Sequence, residues 1–271
     1  MGVLKGDGSN DRVKLATVSL SVANLPTDAY TLAWLTKRGS VGTFDALGYL
    51  LSGTGNGTAE LGLSFDSTAS NLLIDNGSAA KTNTSFTSTA NPYLLVLSKA
   101  TGTATPRLGW KLSSSGVWTH EDLNNPDSNQ TAATMLEFFA WQNNDFFDGW
   151  IGLFGAWAGA MSDANKEKLD DNWRTSDWYN TDAVGHHGSK PVCLIQFNVA
   201  VASLVDLMGN VTGLVAESGS NYPTLDAAET LNGWNFDGTG ASGSLSAAPT
   251  DTLTTTEAVT MNLKLMPRTF N

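Results

Sequence analysis

The chain has 271 residues, of which 26 are acidic and 15 basic, giving a net charge of −11 at neutral pH. Nucleic acid and anionic membranes attract concentrated Lys and Arg, so this balance excludes both as principal partners. No apolar stretch is long enough to insert into a bilayer. The single cysteine, Cys193, cannot form an internal disulfide and is predicted to be a buried free thiol.

Short apolar or alternating segments, separated by Gly-, Asn- and Ser-rich turns, predict strands through the first part of the chain. Asn76-Gly77 is a strong hairpin signal. Polar loops are expected at 78–91 and 113–131, and the second is long enough to carry binding groups. The predicted strand segments are 3–6, 12–22, 30–37, 48–53, 59–65, 71–77, 92–98 and 107–112.

A strand is predicted again at 134–141, and the next element organises the whole chain. Residues 150–157 are apolar at both even and odd positions, so this strand is expected inside a sandwich rather than at its surface. A short helix should follow, with Ser162 as its N-cap and Leu169 and Trp173 on one face.

The remaining residues predict an extension of this domain. After a Gly- and His-containing connector, strands are expected at 192–207 and 231–236. A low-complexity segment then leads to 259–265, which alternates with period two. Its apolar residues Val259, Met261, Leu263 and Leu265 predict a strand that completes a sheet, either the chain's own or a neighbour's.

These elements predict an all-β, antiparallel jelly-roll sandwich with one short helix and a C-terminal strand-bearing extension. The predicted organisation has four parts. They are the sandwich at 1–180, a connector at 181–190, additional strands packing on or beside the sandwich at 191–238, and a low-complexity arm at 239–271.

Three motifs resemble the laminin-G-like jelly roll, a branch of the concanavalin A-like lectin and glucanase fold. They are Gly6-Asp-Gly-Ser-Asn-Asp-Arg-Val13, Tyr30-Thr-Leu-Ala-Trp34, and Asp148-Gly-Trp-Ile-Gly-Leu-Phe-Gly-Ala-Trp157 followed by Met161-Ser-Asp-Ala. The resemblance covers about residues 1–175. Val205-Asp-Leu-Met-Gly-Asn210 is similar to a segment that follows such domains in bacteriophage tail and virion proteins.

The resemblance implies a bacteriophage virion protein, either a minor tail component or a head-decoration protein, with host-surface glycan binding. Its partners would be other virion proteins or copies of itself. Because the N-terminus carries no basic segment followed by an apolar stretch, we expect synthesis in the host cytoplasm without a signal peptide. The alternative is a free-standing carbohydrate-binding module, and a glycan hydrolase comes third.

The sequence predicts no enzymatic activity. Glucanases of this fold place catalytic carboxylates on alternate residues of one strand, as Glu-x-Asp-x-x-Glu, so that they face one cleft. This chain has no such run, since Glu121 adjoins Asp122 and Glu137 stands alone between apolar residues. His186 and His187 are adjacent in a Gly-flanked connector, which is a poor arrangement for a metal or a catalytic triad.

Two groups of residues are candidate binding sites. The first lies in the long loop, where Trp118 could stack on a sugar ring beside His120, Asp122, Asn124 and Asn125. Trp34, Trp150 and Trp157 are instead expected in the core. The second is a calcium loop formed by Asp7, Ser9 and Asp11, which have alternate-oxygen spacing but lack a distal glutamate. The competing interpretation of that loop is an Asx-stabilised turn.

Overall fold

The computed structural model is a β-sandwich, as the sequence predicts. The residues that it describes are 3–17, 29–42, 44–52, 58–75, 80–112, 116–125, 135–141, 145–169, 191–208, 211–214 and 222–226. All of them fall within one unit, Met1–Trp234. No helix in these ranges is long and apolar enough to cross a membrane.

The first sheet has eight antiparallel strands. Seven run in the order β10-β9-β8-β3-β12-β1-β15, and β13 pairs with β12 beside β1. The strands are β1 Val3–Asp7, β3 Tyr30–Arg38, β8 Tyr93–Lys99, β9 Arg107–Leu112, β10 Thr119–Asp122, β12 Asp148–Ala158, β13 Cys193–Gln196 and β15 Thr224–Asp226.

The second sheet has seven antiparallel strands in the order β14-β2-β11-β4-β5-β6-β7. Its strands β6 and β7 pair antiparallel, and the turn predicted at Asn76-Gly77 lies outside the described residues. The strands are β2 Val13–Thr17, β4 Asp45–Ser52, β5 Thr58–Phe65, β6 Asn71–Asp75, β7 Ala80–Ser85, β11 Met135–Phe138 and β14 Val211–Leu214.

The core lies between the two sheets because alternate residues of each strand face inward. Trp34 and Phe154, both of the eight-stranded sheet, pack against each other. Phe138 of the seven-stranded sheet makes an edge-to-face contact with Phe154. A second apolar cluster covers the outer face of the eight-stranded sheet and includes Trp150 and Trp157. The predicted core positions of Trp34, Trp150 and Trp157 are therefore confirmed, as is the buried free thiol of Cys193.

Strand β12 is an interior strand of the eight-stranded sheet. It pairs with β3 along one side and with β1 and β13 along the other. Positions 149–157 are all buried, which confirms the prediction drawn from its two apolar faces. The helix α1, Asp163–Lys168, follows directly and begins at Ser162, whose side chain accepts a hydrogen bond from the Asn165 N–H.

Several expectations for polar or short segments were wrong. Strand β7 lies in the expected loop 78–91, and β10 lies in the expected loop 113–131, because both are sheet edges whose polar residues show no apolar alternation. The long strand expected at 192–207 ends at Gln196. A single 3-10 turn, Val201–Ser203, follows instead.

Other expectations lie outside the described residues. These are Trp173, the connector at 181–190, the strand at 231–236 and the arm at 239–271, which includes Val259, Met261, Leu263 and Leu265. The four-part organisation of the chain accordingly stays a prediction.

Candidate functional site

The predicted sugar-stacking residue, Trp118, lies directly before the edge strand β10. Trp118, His120 and Asp122 alternate along the chain and therefore share the outer face of the eight-stranded sheet. Trp118 packs against the apolar cluster on that face and stays partly exposed. We call these three residues, with Arg107, Asp163, Lys166 and Glu167, the Trp118 surface.

The rings of Trp118 and His120 form a nearly parallel pair. Their centroids are 5.9 Å apart and their planes differ by 5°. Gly109 lies directly opposite His120 in the β9–β10 pairing. A Cβ at Gly109 would lie 2.9 Å from His120 Nδ1, so the absence of a side chain leaves room for the imidazole. The two rings thus stack in nearly parallel planes at the edge of the sheet.

Helix α1 contacts the imidazole of His120 through two carboxylates. His120 Nε2 lies 2.8 Å from Glu167 Oε1, and His120 Nδ1 lies 3.2 Å from Asp163 Oδ1. Both carboxylates come from α1, more than 40 residues away in sequence. This contact joins the edge of the sheet to the only helix of the described residues longer than a single turn.

Arg107 connects the same groups through charge. Its guanidinium lies 2.8 Å from Asp122 Oδ1 and 2.8 Å from Asp163 Oδ2. The hydrogen bond from Arg107 is the main reason why the pKa of Asp163 is lowered. The Arg107 side chain is 40% exposed, so these pairs orient the carboxylates more than they stabilise the fold.

Lys166 is the buried member of the network. Its side chain is fully buried, and Nζ donates to the Arg107 carbonyl at 2.9 Å and to Asp163 Oδ1 at 3.3 Å. Burial lowers the pKa of the Lys166 ammonium, because removing a cation from water disfavours its charged form. The lysine therefore anchors α1 against β9 from beneath the exposed groups.

Asn124 and Asn125 continue from β10 and are exposed. The Asn124 side-chain oxygen accepts from the Lys81 N–H at 2.8 Å, and the Asn124 N–H donates to the Lys81 carbonyl at 3.0 Å. Asn124 therefore contacts β7 of the other sheet, and the structure does not bring its side-chain oxygen to Trp118. Of the five predicted residues, the structure brings Trp118, His120 and Asp122 together, and Asn125 follows them in the sequence.

Glu121 points away from this surface and joins the two sheets. Its carboxylate accepts hydrogen bonds from the backbone N–H groups of Asn83 and Thr84 in β7. Together with Asn124, it closes the sandwich between the edge strands β10 and β7. The position of Glu121 is that of a structural acceptor.

Replacing Glu121 with alanine should loosen this closure. We expect a loss of about 1 kcal/mol of unfolding free energy. The loss is small because the two N–H groups are near the surface and can donate to water once the carboxylate is removed. Urea denaturation measures the unfolding free energy of Glu121→Ala, with Glu167→Ala as the control. Equal midpoints for the two variants would contradict the structural role of Glu121.

The expected calcium loop is arranged as a self-contained turn. Asp7 Oδ1 accepts from the Ser9 N–H at 2.8 Å, and Asp11 Oδ2 accepts from the Asp7 N–H at 2.8 Å. Two carboxylate oxygens are thus engaged by the loop's own backbone, as in an Asx-stabilised turn, and the calcium site stays a prediction. Within the described ranges, no group of three or more His, Cys, Asp or Glu could hold a metal ion.

Glu137 lies on the outer face of the seven-stranded sheet and is fully buried. Its Oε1 is 3.3 Å from Arg12 Nη1 and 3.9 Å from Lys14 Nζ. Tyr49 lies opposite Glu137 in the β11–β4 pairing and stacks on Trp141, with centroids 5.3 Å apart. No local pattern predicts this group, because its members come from three separate segments of the chain.

No protein-family model matches the sequence, and no curated protein does. Comparison with solved structures finds similar folds at low sequence identity. A SAP-like pentraxin from Limulus polyphemus has a TM-score of 0.44 and 11% identity over 79% of this chain and 93% of the pentraxin. A Trypanosoma rangeli sialidase has a TM-score of 0.44 and 15% identity over 62% of this chain.

The chain spans only part of the enzymes among these structures. It covers 27% of the sialidase. It covers 40% of a GH54 α-L-arabinofuranosidase, with a TM-score of 0.43 and 12% identity over 63% of this chain. The prediction that the chain is not an enzyme is therefore wrong, because sandwiches similar to this one occur in glycoside hydrolases. The missing Glu-x-Asp-x-x-Glu run does not exclude an enzymatic role, since catalytic carboxylates can come from separate strands.

The comparison also includes tailspike protein 2 of bacteriophage CBA120, in its enzymatically active domain. The TM-score is 0.39 and the identity 11%, over 70% of this chain and 33% of the tailspike domain. The fold of this chain is an all-β, antiparallel jelly-roll sandwich.

Proposed function

We propose that this chain is a glycan-binding component of a bacteriophage virion and that glycan binds at the Trp118 surface. The observation that carries the binding site is the partly exposed indole of Trp118, held at the sheet edge by stacking on His120 with ring planes that differ by 5°. One apolar face of a sugar ring can pack on the exposed part of the indole, while its hydroxyl groups meet polar side chains at the rim.

The rim supplies groups suited to sugar hydroxyls. The Asp122 side chain is 63% exposed and that of Glu167 47%, so their oxygens remain accessible beside the rings. Arg107 and His120 hold these carboxylates in place before a ligand arrives, which reduces the entropy lost on binding. The fully buried Lys166 keeps the helix fixed beneath them.

The virion assignment has separate support. It rests on the resemblance of Val205-Asp-Leu-Met-Gly-Asn210 to segments that follow such domains in phage virion proteins, and on the strand pattern of 259–265. The partners would be other virion proteins or copies of this chain, after synthesis in the host cytoplasm. Glycan binding and particle assembly are independent parts of this proposal.

Sedimentation with bacterial cell envelopes and isolated wall polysaccharide tests the binding part. We expect the wild-type chain to pellet with both and Trp118→Ala to lose most of this binding, because the stacking face is gone. Trp141→Ala, which removes the same side chain from the other sheet, should pellet like wild type. Reducing-sugar release, measured in the same samples, reports any cleavage. Absence of wild-type pelleting would contradict glycan binding.

A further inference from the structure

The exposed apolar residues of the described chain concentrate at one edge of the eight-stranded sheet. Strand β12 has β3 along one side, so β1 and β13 both lie along the other. Beyond β1 comes β15, and beyond β13 comes the segment around Asp206, which forms a bridge with Ile195. Four of the six exposed large apolar side chains in the described ranges belong to this edge: Val205, Leu207, Tyr222 and Leu225.

Strand β15 ends the sheet at this edge. It pairs with β1 through Leu225 opposite Leu4, and among the described strands no other lies on its far side. Leu225 is 44% exposed in the single chain, whereas Leu4 is fully buried. An exposed edge strand with an apolar side chain is a template for a further strand.

The sequence predicts such a strand at 259–265. The described part ends at Asp226, within β15 itself, and 32 residues separate it from Val259. An extended segment of that length spans up to about 110 Å, which is enough to reach another copy. Residues 259–271 include Lys264 and Arg268 but no acidic residue, whereas the whole chain has a net charge of −11. Attraction between opposite charges therefore favours contact between this basic segment and the acidic remainder of a chain, such as that of a second copy.

We propose that the β15 edge accepts the segment 259–265 of a second copy of this chain as an added antiparallel strand. The apolar residues Met261 and Leu263 of the segment would cover Leu225 and its neighbours. Such head-to-tail exchange closes into a ring or continues as a filament, depending on the rotation between copies. This inference rests on the assembly part of the proposed function and is independent of glycan binding.

Light-scattering mass measurement of the full chain over a range of concentrations tests the interface. We expect wild type to exceed the 28.6 kDa of one chain. Leu225→Lys and the double variant Met261→Asp/Leu263→Asp should both remain monomeric. Val41→Lys changes another side chain that is 46% exposed and should assemble like wild type. Equal thermal unfolding of Leu225→Lys and Val41→Lys shows that the edge variant folds.

A labelled peptide of residues 257–271 provides the second measurement. It should bind the full-length double variant, whose own segment is disabled, and this binding should be lost when Leu225→Lys is added. Peptide binding that survives Leu225→Lys would overturn the β15 edge as the acceptor. A wild-type chain that is monomeric at every concentration would overturn pairing between copies, whatever the peptide does. Loss of pelleting in Trp118→Ala, by contrast, concerns only the glycan site.

Discussion

Replacing Asp45 with asparagine is expected to lower the unfolding free energy by about 3–5 kcal/mol, the cost of breaking a buried ion pair from one side. Asp45 Oδ2 lies 2.6 Å from Arg38 Nη2, and both side chains are fully buried. Asparagine has nearly the same shape, so the loss reflects charge rather than volume. The Arg38 guanidinium would remain in the protein interior without its carboxylate.

The surroundings of Arg38 explain why water cannot compensate. Arg38 Nη1 donates to the Phe86 carbonyl at 2.8 Å, and the guanidinium lies over the Phe65 ring at 4.4 Å from its centroid. These contacts orient the cation but do not neutralise it. The arginine can reach solvent only if the end of the sandwich opens.

Denaturant unfolding measures this prediction directly. Asp122→Asn is the matched control, because Asp122 also pairs with an arginine but its side chain is 63% exposed. We expect the control to change stability by less than about 1 kcal/mol. If Asp45→Asn and Asp122→Asn unfold at the same midpoint, the buried pair does not stabilise the fold as described.

Replacing Glu137 with glutamine should have an effect of similar size, about 3–5 kcal/mol. Arg12 and Lys14 approach its carboxylate at 3.3 and 3.9 Å, and the three side chains are at most 7% exposed. Glutamine keeps the volume but removes the negative charge that faces two cations. Repulsion between the cations should then destabilise the pairing of β2 with β11.

Thermal unfolding compares this variant with Glu167→Gln, whose parent side chain is 47% exposed. The control should unfold within a few degrees of wild type, because exposed pairs contribute little. Glu137→Gln should lower the thermal unfolding midpoint much further than the control does. A Glu137→Gln chain as stable as the control would mean that the cations are balanced by other groups.

The sequence predicted the interior of the fold better than its edges. Strand β12 was predictable because both of its faces are apolar, which is the pattern expected of a strand buried on both sides. Strands β7 and β10 were missed because they meet through hydrogen bonds from the β7 backbone to the side chains of Glu121 and Asn124, which leave no apolar pattern. The strand expected at 192–207 was too long, since the Asp206 side chain accepts from the Leu194 N–H and turns the chain back along β13.

The candidate site was predictable only in part. An aromatic residue among polar ones drew attention to Trp118, and the alternation of Trp118, His120 and Asp122 follows once β10 is known. The contacts of His120 with Asp163 and Glu167 depend on how α1 packs on β9, which no local pattern records. The engagement of Asn124 by β7 likewise depends on the approach of the two sheets.

Nuclear magnetic resonance of the tryptophan indole N–H groups, during titration with wall-polysaccharide fragments, tests the glycan site most directly. The Trp118 resonance is assigned by its loss in Trp118→Phe. If the Trp118 surface binds glycan, this resonance should shift in a saturable manner while that of Trp141, on the other sheet, stays in place. A Trp118 resonance that does not move at saturating polysaccharide, or a saturable shift confined to Trp141, would contradict the assignment of this surface.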